Sequence, residues 1–180
     1  MQMQSPPLHP GSLMIITGWC GIGKTSLCRV AADLARDAGW AVRGVCSPTR
    51  FENGRKQGKD ALDLATGQQR PLAAFAPLPA EPEWILDPEA LAWGDAVFRG
   101  AVPTDLLVVD ELGPYELEHS QGWLSALRAL DSAQYRLALA VVRPELIPTA
   151  RQRWPHGEII TVWSAAQAPG LAASWLAAAV

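Results

Sequence analysis

The residues Gly18-Trp19-Cys20-Gly21-Ile22-Gly23-Lys24-Thr25 match the pattern G-x-x-x-x-G-K-[ST], which is the phosphate-binding loop. No other feature limits the fold as strongly, because this loop works only between a buried strand and a helix. The apolar run at 13–17 predicts the strand, and apolar residues at spacings of three and four predict a helix over 24–38. A glycine-rich turn that matches by chance is the alternative, and the flanking strand and helix argue against it.

The chemistry of such a loop comes from its backbone and from two side chains. Glycines allow backbone N–H groups to surround phosphate oxygens, and the helix N-terminus adds partial positive charge. We expect Lys24 to reach the β- and γ-phosphates and the Thr25 hydroxyl to bind Mg²⁺. The residues expected around the phosphates are Gly18, Trp19, Cys20, Gly21, Ile22, Gly23, Lys24, Thr25 and Ser26.

Two residues inside the loop, Trp19 and Cys20, are unusual. Trp19 could lean over a bound nucleotide, or it could be an exposed aromatic residue at the loop tip. Oxidation of Cys20 could block nucleotide binding, although an inert small residue is the simpler interpretation. The chain has three cysteines, an odd number without the spacing of a metal site, which indicates reduced thiols in the cytoplasm.

The composition limits the classes of protein to consider. With 180 residues, of which 49% are hydrophobic and 18% charged, the chain is expected to be globular rather than disordered. The net charge of -3 argues against a nucleic-acid partner, which usually requires a basic face, and no apolar run is long enough for a membrane span. The polar start lacks the features of a signal peptide. We expect a flexible lead-in over 1–12 and a single P-loop domain over 13–180.

A second group of candidate residues stands at the end of an apolar strand predicted over 105–111. Parallel strands present their C-terminal ends to the ligand crevice, so Asp110 is expected to approach the Mg²⁺ bound by Thr25. Glu111 could orient or deprotonate a water that attacks the γ-phosphate. A solvated strand end is the alternative for both acids. Arg143 ends the strand predicted over 137–142, where it could sense the γ-phosphate or lie at the surface.

The order of elements predicts the architecture. Strands alternate with helices along most of the chain, which is typical of an α/β fold with a mostly parallel central sheet. The segment 45–75 contains turn signals between short alternating runs, and it predicts an antiparallel hairpin at the sheet edge. A linker-like stretch over 77–82 follows, and Asp87 with Pro88 predicts a helix start. The run 40–46 predicts a further strand, and further helices are predicted over 121–131, 144–153 and 165–179.

Several strings of residues occur in an order and spacing that resemble the THEP1-type nucleoside-triphosphatases, in a bacterial variant. They are the loop Gly18–Thr25, the segment Asn53-Gly54-Arg55-Lys56-x-Gly58, the run Asp63-Leu64-Ala65-Thr66-Gly67 with Leu72-Ala73 after it, and Asp110-Glu111-Leu112-Gly113-Pro114-x-Glu116-Leu117. The resemblance extends from about residue 12 to 163. The phosphate loop is specific only to a superfamily, whereas the string Asp110–Leu117 combined with the segment Asn53–Gly58 is much more specific.

The resemblance implies a three-layer RecA-like P-loop fold and Mg²⁺-dependent hydrolysis of ATP, GTP and other nucleoside triphosphates, with slow turnover and little base selectivity. By position, Lys24 and Thr25 would bind phosphate and metal, Asp110 would support the metal, and Glu111 would activate water. Glu116 matches the family string without an assigned role.

The sequence departs from the family just before the Asn-Gly turn, where it has Thr49-Arg50-Phe51-Glu52 instead of the acidic and arginine residues of many members. The basic residues of this segment could cover the phosphates as a lid, and they are Arg50, Arg55, Lys56 and Lys59. A solvated basic turn is the simpler interpretation, so a contact between Arg55 and the nucleotide stays open.

Two other functions use the same phosphate loop. A small-molecule or nucleotide kinase would transfer the γ-phosphoryl group to an acceptor, although no arginine-rich lid of the usual kind is recognisable. A nucleotide-dependent switch or accessory protein would use slow hydrolysis to control a partner protein. The base preference, the partner protein and the oligomeric state are not encoded in a recognisable motif.

Overall fold

The computed structural model describes residues 9–77 and 82–179, and the strands within these ranges form one sheet. The strands are β1 (Ser12–Thr17), β2 (Val42–Cys46), β3 (Thr49–Glu52), β4 (Arg55–Asp63), β5 (Gln69–Pro77), β6 (Pro82–Leu86), β7 (Thr104–Leu112), β8 (Tyr135–Val142) and β9 (Glu158–Thr161). The helices are α1 (Lys24–Asp37), α2 (Pro88–Arg99), α3 (Pro114–Leu117), α4 (Leu124–Asp131), α5 (Ile147–Arg153) and α6 (Ala168–Ala178). The predicted linker over 77–82 and the predicted lead-in over 1–12 lie largely outside the described residues.

The sheet has a parallel part and an antiparallel part. Its strand order is β6-β5-β4-β2-β7-β8-β1-β9, and β3 pairs with β4 away from this path. The five strands from β2 to β9 in this order are parallel, whereas β3, β4, β5 and β6 are joined by antiparallel ladders. The predicted α/β fold with its antiparallel addition is confirmed, and the addition is larger than the segment expected over 45–75 because β6 pairs with β5 and extends it.

The position of β1 in this sheet fixes the functional edge. β1 lies between β8 and β9, and β7 lies on the far side of β8. Because all four strands are parallel, the segments that follow β1, β7 and β8 emerge at the same edge. The loop after β1, the acids at the end of β7 and Arg143 after β8 therefore lie at one edge of the sheet.

Helices cover both faces of the sheet. Leu13 and Ile15 of β1 pack into the core beneath α2, α4 and α5, whereas Met14 and Ile16 pack into the core beneath α1 and α6. This alternation follows from the two-residue period of a strand, and the two cores give three layers. Across 9–77 and 82–179, none of the helices is both long and apolar enough to cross a bilayer.

The starts of α2 and α4 show how closely the structure follows the local sequence signals for a helix start. The Asp87 carboxylate caps α2 by accepting from the N–H groups of Glu89 and Ala90, and Pro88 is the first helical residue, as predicted. The helix expected over 121–131 begins only at Leu124, because Gly122 has a φ of 71°, which no α-helix contains.

Strand β2 is shorter than the run 40–46 suggested. The N–H group of Trp40 donates to the carbonyl of Ala35 at 2.9 Å and so closes the end of α1. That N–H group is then unable to join the sheet, and β2 begins at Val42. The segments predicted as helices over 144–153 and 165–179 begin as 3₁₀ turns, Pro144–Leu146 and Ala165–Gln167.

Candidate active site

The phosphate-binding loop lies between β1 and α1, and its glycines are required by close packing. Gly23 precedes α1 with a φ of 104°, and a Cβ atom there would lie 2.7 Å from the Cβ of Ala165. A Cβ atom on Gly18, whose φ is 142°, would lie 2.5 Å from the carbonyl oxygen of Val162. The loop is therefore held against the segment that follows β9, and only glycine fits at these two positions.

Lys24 is folded back across its own loop. Its Nζ donates to the carbonyl oxygens of Gly18 at 2.7 Å and Trp19 at 2.9 Å, and the residue is 8% exposed. No carboxylate within the described part of the chain forms an ion pair with this ammonium group. The charge of Lys24 is thus held at the loop and is available to an anionic ligand.

The remaining loop residues differ in exposure. Trp19 is 75% exposed, and Cys20 and Gly21 are also exposed, whereas Ile22 is half-buried. Ser26 lies exposed in the first turn of α1. Both interpretations of Trp19 and of Cys20 stay open on this geometry.

Asp110 is buried in contact with Thr25, as the sequence led us to expect. Its side chain is 2% exposed, and the Thr25 hydroxyl lies beside it. The N–H group of Ser47 donates to Oδ2 of Asp110 at 3.0 Å, and the Ser47 hydroxyl donates to the Asp110 carbonyl. Burial raises the pKa of Asp110, and the Ser47 N–H and the Thr25 hydroxyl oppose that rise.

Ser47 was not identified from the sequence. Its position at the end of β2, a neighbour of β7 in the parallel sheet, is the signal that could have identified it. A strand-end hydroxyl is common, so this signal alone would have selected other residues too.

Glu111 forms ion pairs with two cations. Its Oε1 lies 3.2 Å from Nζ of Lys59 in β4 and 3.1 Å from Nε of Arg143. Burial raises the pKa of Glu111, but the two cations outweigh it and lower the pKa below its usual range. The β7–β8 register shifts between Val109 and Leu112, so these acids lie in an irregular part of the ladder.

The basic hairpin divides into two parts. Lys59 faces Glu111, and Arg50 pairs with Asp60. Arg55 and Lys56 are exposed at the turn between β3 and β4. The expectation of a solvated turn therefore describes Arg55 and Lys56, whereas Lys59 reaches the acids.

Glu116 has a structural position that the sequence did not reveal. Its carboxylate is 8% exposed and accepts from the N–H of Gly113 at 3.0 Å and from the N–H of Trp123 at 3.1 Å. Burial raises the pKa of Glu116, and these two N–H groups oppose that rise. Glu116 thus closes the turn between β7 and α4.

A cavity of about 380 Å³ lies beside Glu111. Its charged side is formed by Lys59, Glu111 and Arg143. Its apolar walls come from β5, β6, α2 and the start of α4, and they include Leu72, Trp84, Leu86, Leu91 and Trp123. The phosphate-binding loop is not among the lining residues, so this cavity is a separate space at the same edge of the sheet.

The oxygen atoms at the loop suit a magnesium ion. Thr25 offers a hydroxyl and Asp110 a carboxylate, and Mg²⁺ prefers oxygen ligands from one or two side chains together with phosphates. In the described ranges no cluster of three or more His, Cys, Asp or Glu residues forms a metal site. A magnesium ion shared with phosphate oxygens needs no such cluster.

The comparisons with known proteins agree with this geometry. The model of a family described as NTPase matches residues 13–163. Nucleoside-triphosphatase THEP1 of Methanosarcina acetivorans is 32% identical over 152 residues, which cover 82% of this chain and 85% of that protein. Nucleoside-triphosphatase THEP1 of Methanopyrus kandleri is 32% identical over 118 residues, and the match spans just under two thirds of each chain, 64%.

A solved structure shares the fold. The solution structure of a human cancer-related nucleoside triphosphatase aligns with a TM-score of 0.70 at 23% identity, covering 92% of this chain and 98% of that one. At this identity the likeness concerns the fold, and it agrees with the P-loop architecture described above. The chain therefore belongs to the NTPase family and is of the THEP1 type.

Proposed function

We propose that this chain hydrolyses nucleoside triphosphates, ATP and GTP included, to the diphosphate and phosphate in a Mg²⁺-dependent reaction. We expect slow turnover and little base selectivity. The contact between Thr25 and Asp110, with Glu111 as the next residue, carries the proposal. It unites a phosphate loop, two oxygen ligands for a metal and a carboxylate able to handle a proton.

In the proposed mechanism the loop N–H groups and Lys24 bind the phosphates, while Thr25 and Asp110 hold the metal. When bound, Mg²⁺ neutralises charge on the β- and γ-phosphate oxygens. Glu111 accepts a hydrogen bond from the attacking water and takes its proton as the water oxygen bonds to the γ-phosphorus. The bond from that phosphorus to the β–γ bridging oxygen breaks in the same step, and the diphosphate leaves with the bonding electron pair. Lys59 and Arg143 fix the orientation of that carboxylate through their ion pairs.

The exposed Trp163 supports broad base selectivity. It is 68% exposed and lies between Val162 and Ala165 in the segment against which the phosphate loop packs. An aromatic ring can stack on any base, and such stacking discriminates weakly between bases. Replacing Trp163 with alanine is expected to raise KM for ATP and GTP by similar factors, measured by phosphate release.

The proposed partner is the nucleoside triphosphate itself, and the proposed location is the cytoplasm. Burial raises the pKa of the Cys28 and Cys46 thiols, so both are protonated near neutral pH. Cys20 is exposed. Free thiols are typical of a reducing compartment.

The main test replaces Glu111 with glutamine. Phosphate release from ATP and GTP with Mg²⁺ is expected to fall by about 100-fold or more, because the group that handles the proton is lost. Nucleotide binding, measured as a rise in melting temperature, is expected to remain. The matched control is Glu118→Gln, which makes the same change at an exposed position of the same turn. Wild-type turnover by Glu111→Gln would overturn the assigned role.

A further inference from the structure

We propose that the cavity beside Glu111 binds a small organic alcohol with a hydrophobic ring, and that this alcohol accepts the γ-phosphoryl group in place of water. The inference rests on the proposed function, since it uses the same nucleotide and the same carboxylate. It adds an acceptor site to a protein whose relatives are named as triphosphatases.

The order of contacts across the site supports an acceptor. Thr25 of the phosphate-loop helix contacts Asp110, Glu111 follows Asp110, and the Glu111 side chain lines the cavity. The phosphate-binding loop itself lines no part of the cavity. Glu111 thus follows the residue that contacts Thr25 and itself lines the cavity, so its carboxylate is placed to take a proton from a hydroxyl bound there.

The size of the cavity exceeds what hydrolysis requires. A water molecule occupies about 30 Å³, whereas small-molecule sites usually measure about 300–1,000 Å³. The cavity of about 380 Å³ falls in the second range. Hydrolysis by water alone does not require an apolar space of this volume.

The walls define the class of ligand. Trp84, Leu86 and Leu91 offer apolar surface from β6 and α2, which suits a hydrocarbon ring. One charged group of the lining is the Glu111 carboxylate, which Lys59 and Arg143 flank, and Tyr115, Glu116 and His119 add further polar side chains. The Lys59 ammonium also lies 5.4 Å from the centre of the Trp84 ring. The carboxylates of Glu111 and Glu116 line the cavity beside these two cations, so the hydroxyl of a neutral compound is the expected acceptor.

The transfer step balances without a further reactant. The acceptor oxygen forms a bond to the γ-phosphorus as the bond from that phosphorus to the β–γ bridging oxygen breaks. The diphosphate leaves with the bonding electron pair, and the hydroxyl proton passes to the Glu111 carboxylate. The products are a phosphate monoester and the nucleoside diphosphate.

The test supplies the full-length protein with Mg²⁺, ATP labelled in the γ-phosphate, and either 2-phenylethanol or indole-3-ethanol at millimolar concentration. Labelled phosphate monoester and free phosphate are measured in the same reaction. Wild-type protein is expected to form the ester. 3-Methylindole, which has the ring but no hydroxyl, is expected to reduce ester formation by competing for the cavity.

Matched variants of β6 locate the site. Leu86→Trp adds bulk to the cavity wall and is expected to lower the ratio of ester to phosphate by about tenfold. Ile85→Trp makes a similar change one residue earlier, where the side chain is 58% exposed and lies outside the cavity, and it is expected to leave that ratio unchanged. If Leu86→Trp does not fold, as judged by its melting curve, Leu91→Trp makes the same test from α2.

The outcomes separate the two proposals. Phosphate release without ester from either alcohol overturns the acceptor site and leaves hydrolysis standing. Absence of both products overturns the proposed function as well. Equal ester formation by Leu86→Trp and Ile85→Trp refutes the assignment to this cavity.

Discussion

Replacing Glu116 with alanine is expected to destabilise the protein far more than the same replacement of a surface acid would. The Glu116 carboxylate accepts from two backbone N–H groups, those of Gly113 and Trp123, and it is buried. Each buried donor left without a partner costs about 1–3 kcal/mol, so the two together give about 2–6 kcal/mol. For a chain of this length each kcal/mol lowers the melting temperature by about 2–4 °C.

The assay is urea and thermal unfolding of three variants. Glu116→Ala is expected to lose the full amount, and Glu116→Gln about half, because its single amide oxygen can satisfy one of the two N–H groups. Glu118→Ala, the exposed control, is expected to lie within about 0.5 kcal/mol of wild type. If Glu116→Ala unfolds at the same denaturant concentration as Glu118→Ala, the carboxylate does not hold the turn and the reasoning fails.

Three further predictions concern the site and the core. Lys59→Met is expected to slow phosphate release by about tenfold or more, because the catalytic carboxylate loses an ion pair, and equal rates for Lys59→Met and the exposed control Arg55→Met would contradict this. Gly18→Ala is expected to abolish the rise in melting temperature on adding nucleotide, since its Cβ would meet the Val162 carbonyl, and a full rise would refute the packing argument. Tyr135→Phe is expected to cost about 1 kcal/mol at neutral pH, because the hydroxyl donates to a buried carbonyl. Burial raises the pKa of Tyr135 from its ordinary 10.0 to about 12, so the contribution of Tyr135 to stability is fully present below pH 10 and is lost as pH rises toward 12. The difference in unfolding free energy between the two proteins should shrink in that pH range, and a constant difference would be the contrary result.

The parts of the site predicted from sequence are those joined by short-range patterns. The strand, loop and helix around Lys24 follow from one motif, and a buried strand ending in Asp110 implies the same sheet edge. The contact between Asp110 and Thr25 could be predicted because parallel strands place their C-terminal ends at the same edge of the sheet.

The parts that sequence analysis missed depend on long-range register. Lys59 reaches Glu111 only because β4 pairs with β2 in one register, and a slip of one residue would turn Lys59 to the other face. The cavity depends on three elements, β5, β6 and α2, meeting over β7. No local pattern encodes such a meeting, so neither the cavity nor the role of Glu116 could be inferred.

The junction between the parallel and antiparallel parts of the sheet also separates the strands of the nucleotide site from strands of the cavity wall. The ladder from β2 to β4 contains two residue pairs, Val45 with Asp63 and Cys46 with Leu62. On one side of this narrow seam lie the strands that carry the phosphate loop and Asp110, and on the other lie β5 and β6, which form one wall of the cavity. Insertions or substitutions in β5 and β6 can change which ligands the cavity binds, while the register of β1, β7 and β8 is preserved. The fold thus lets ligand choice diverge in evolution or be redesigned while the nucleotide machinery stays constant.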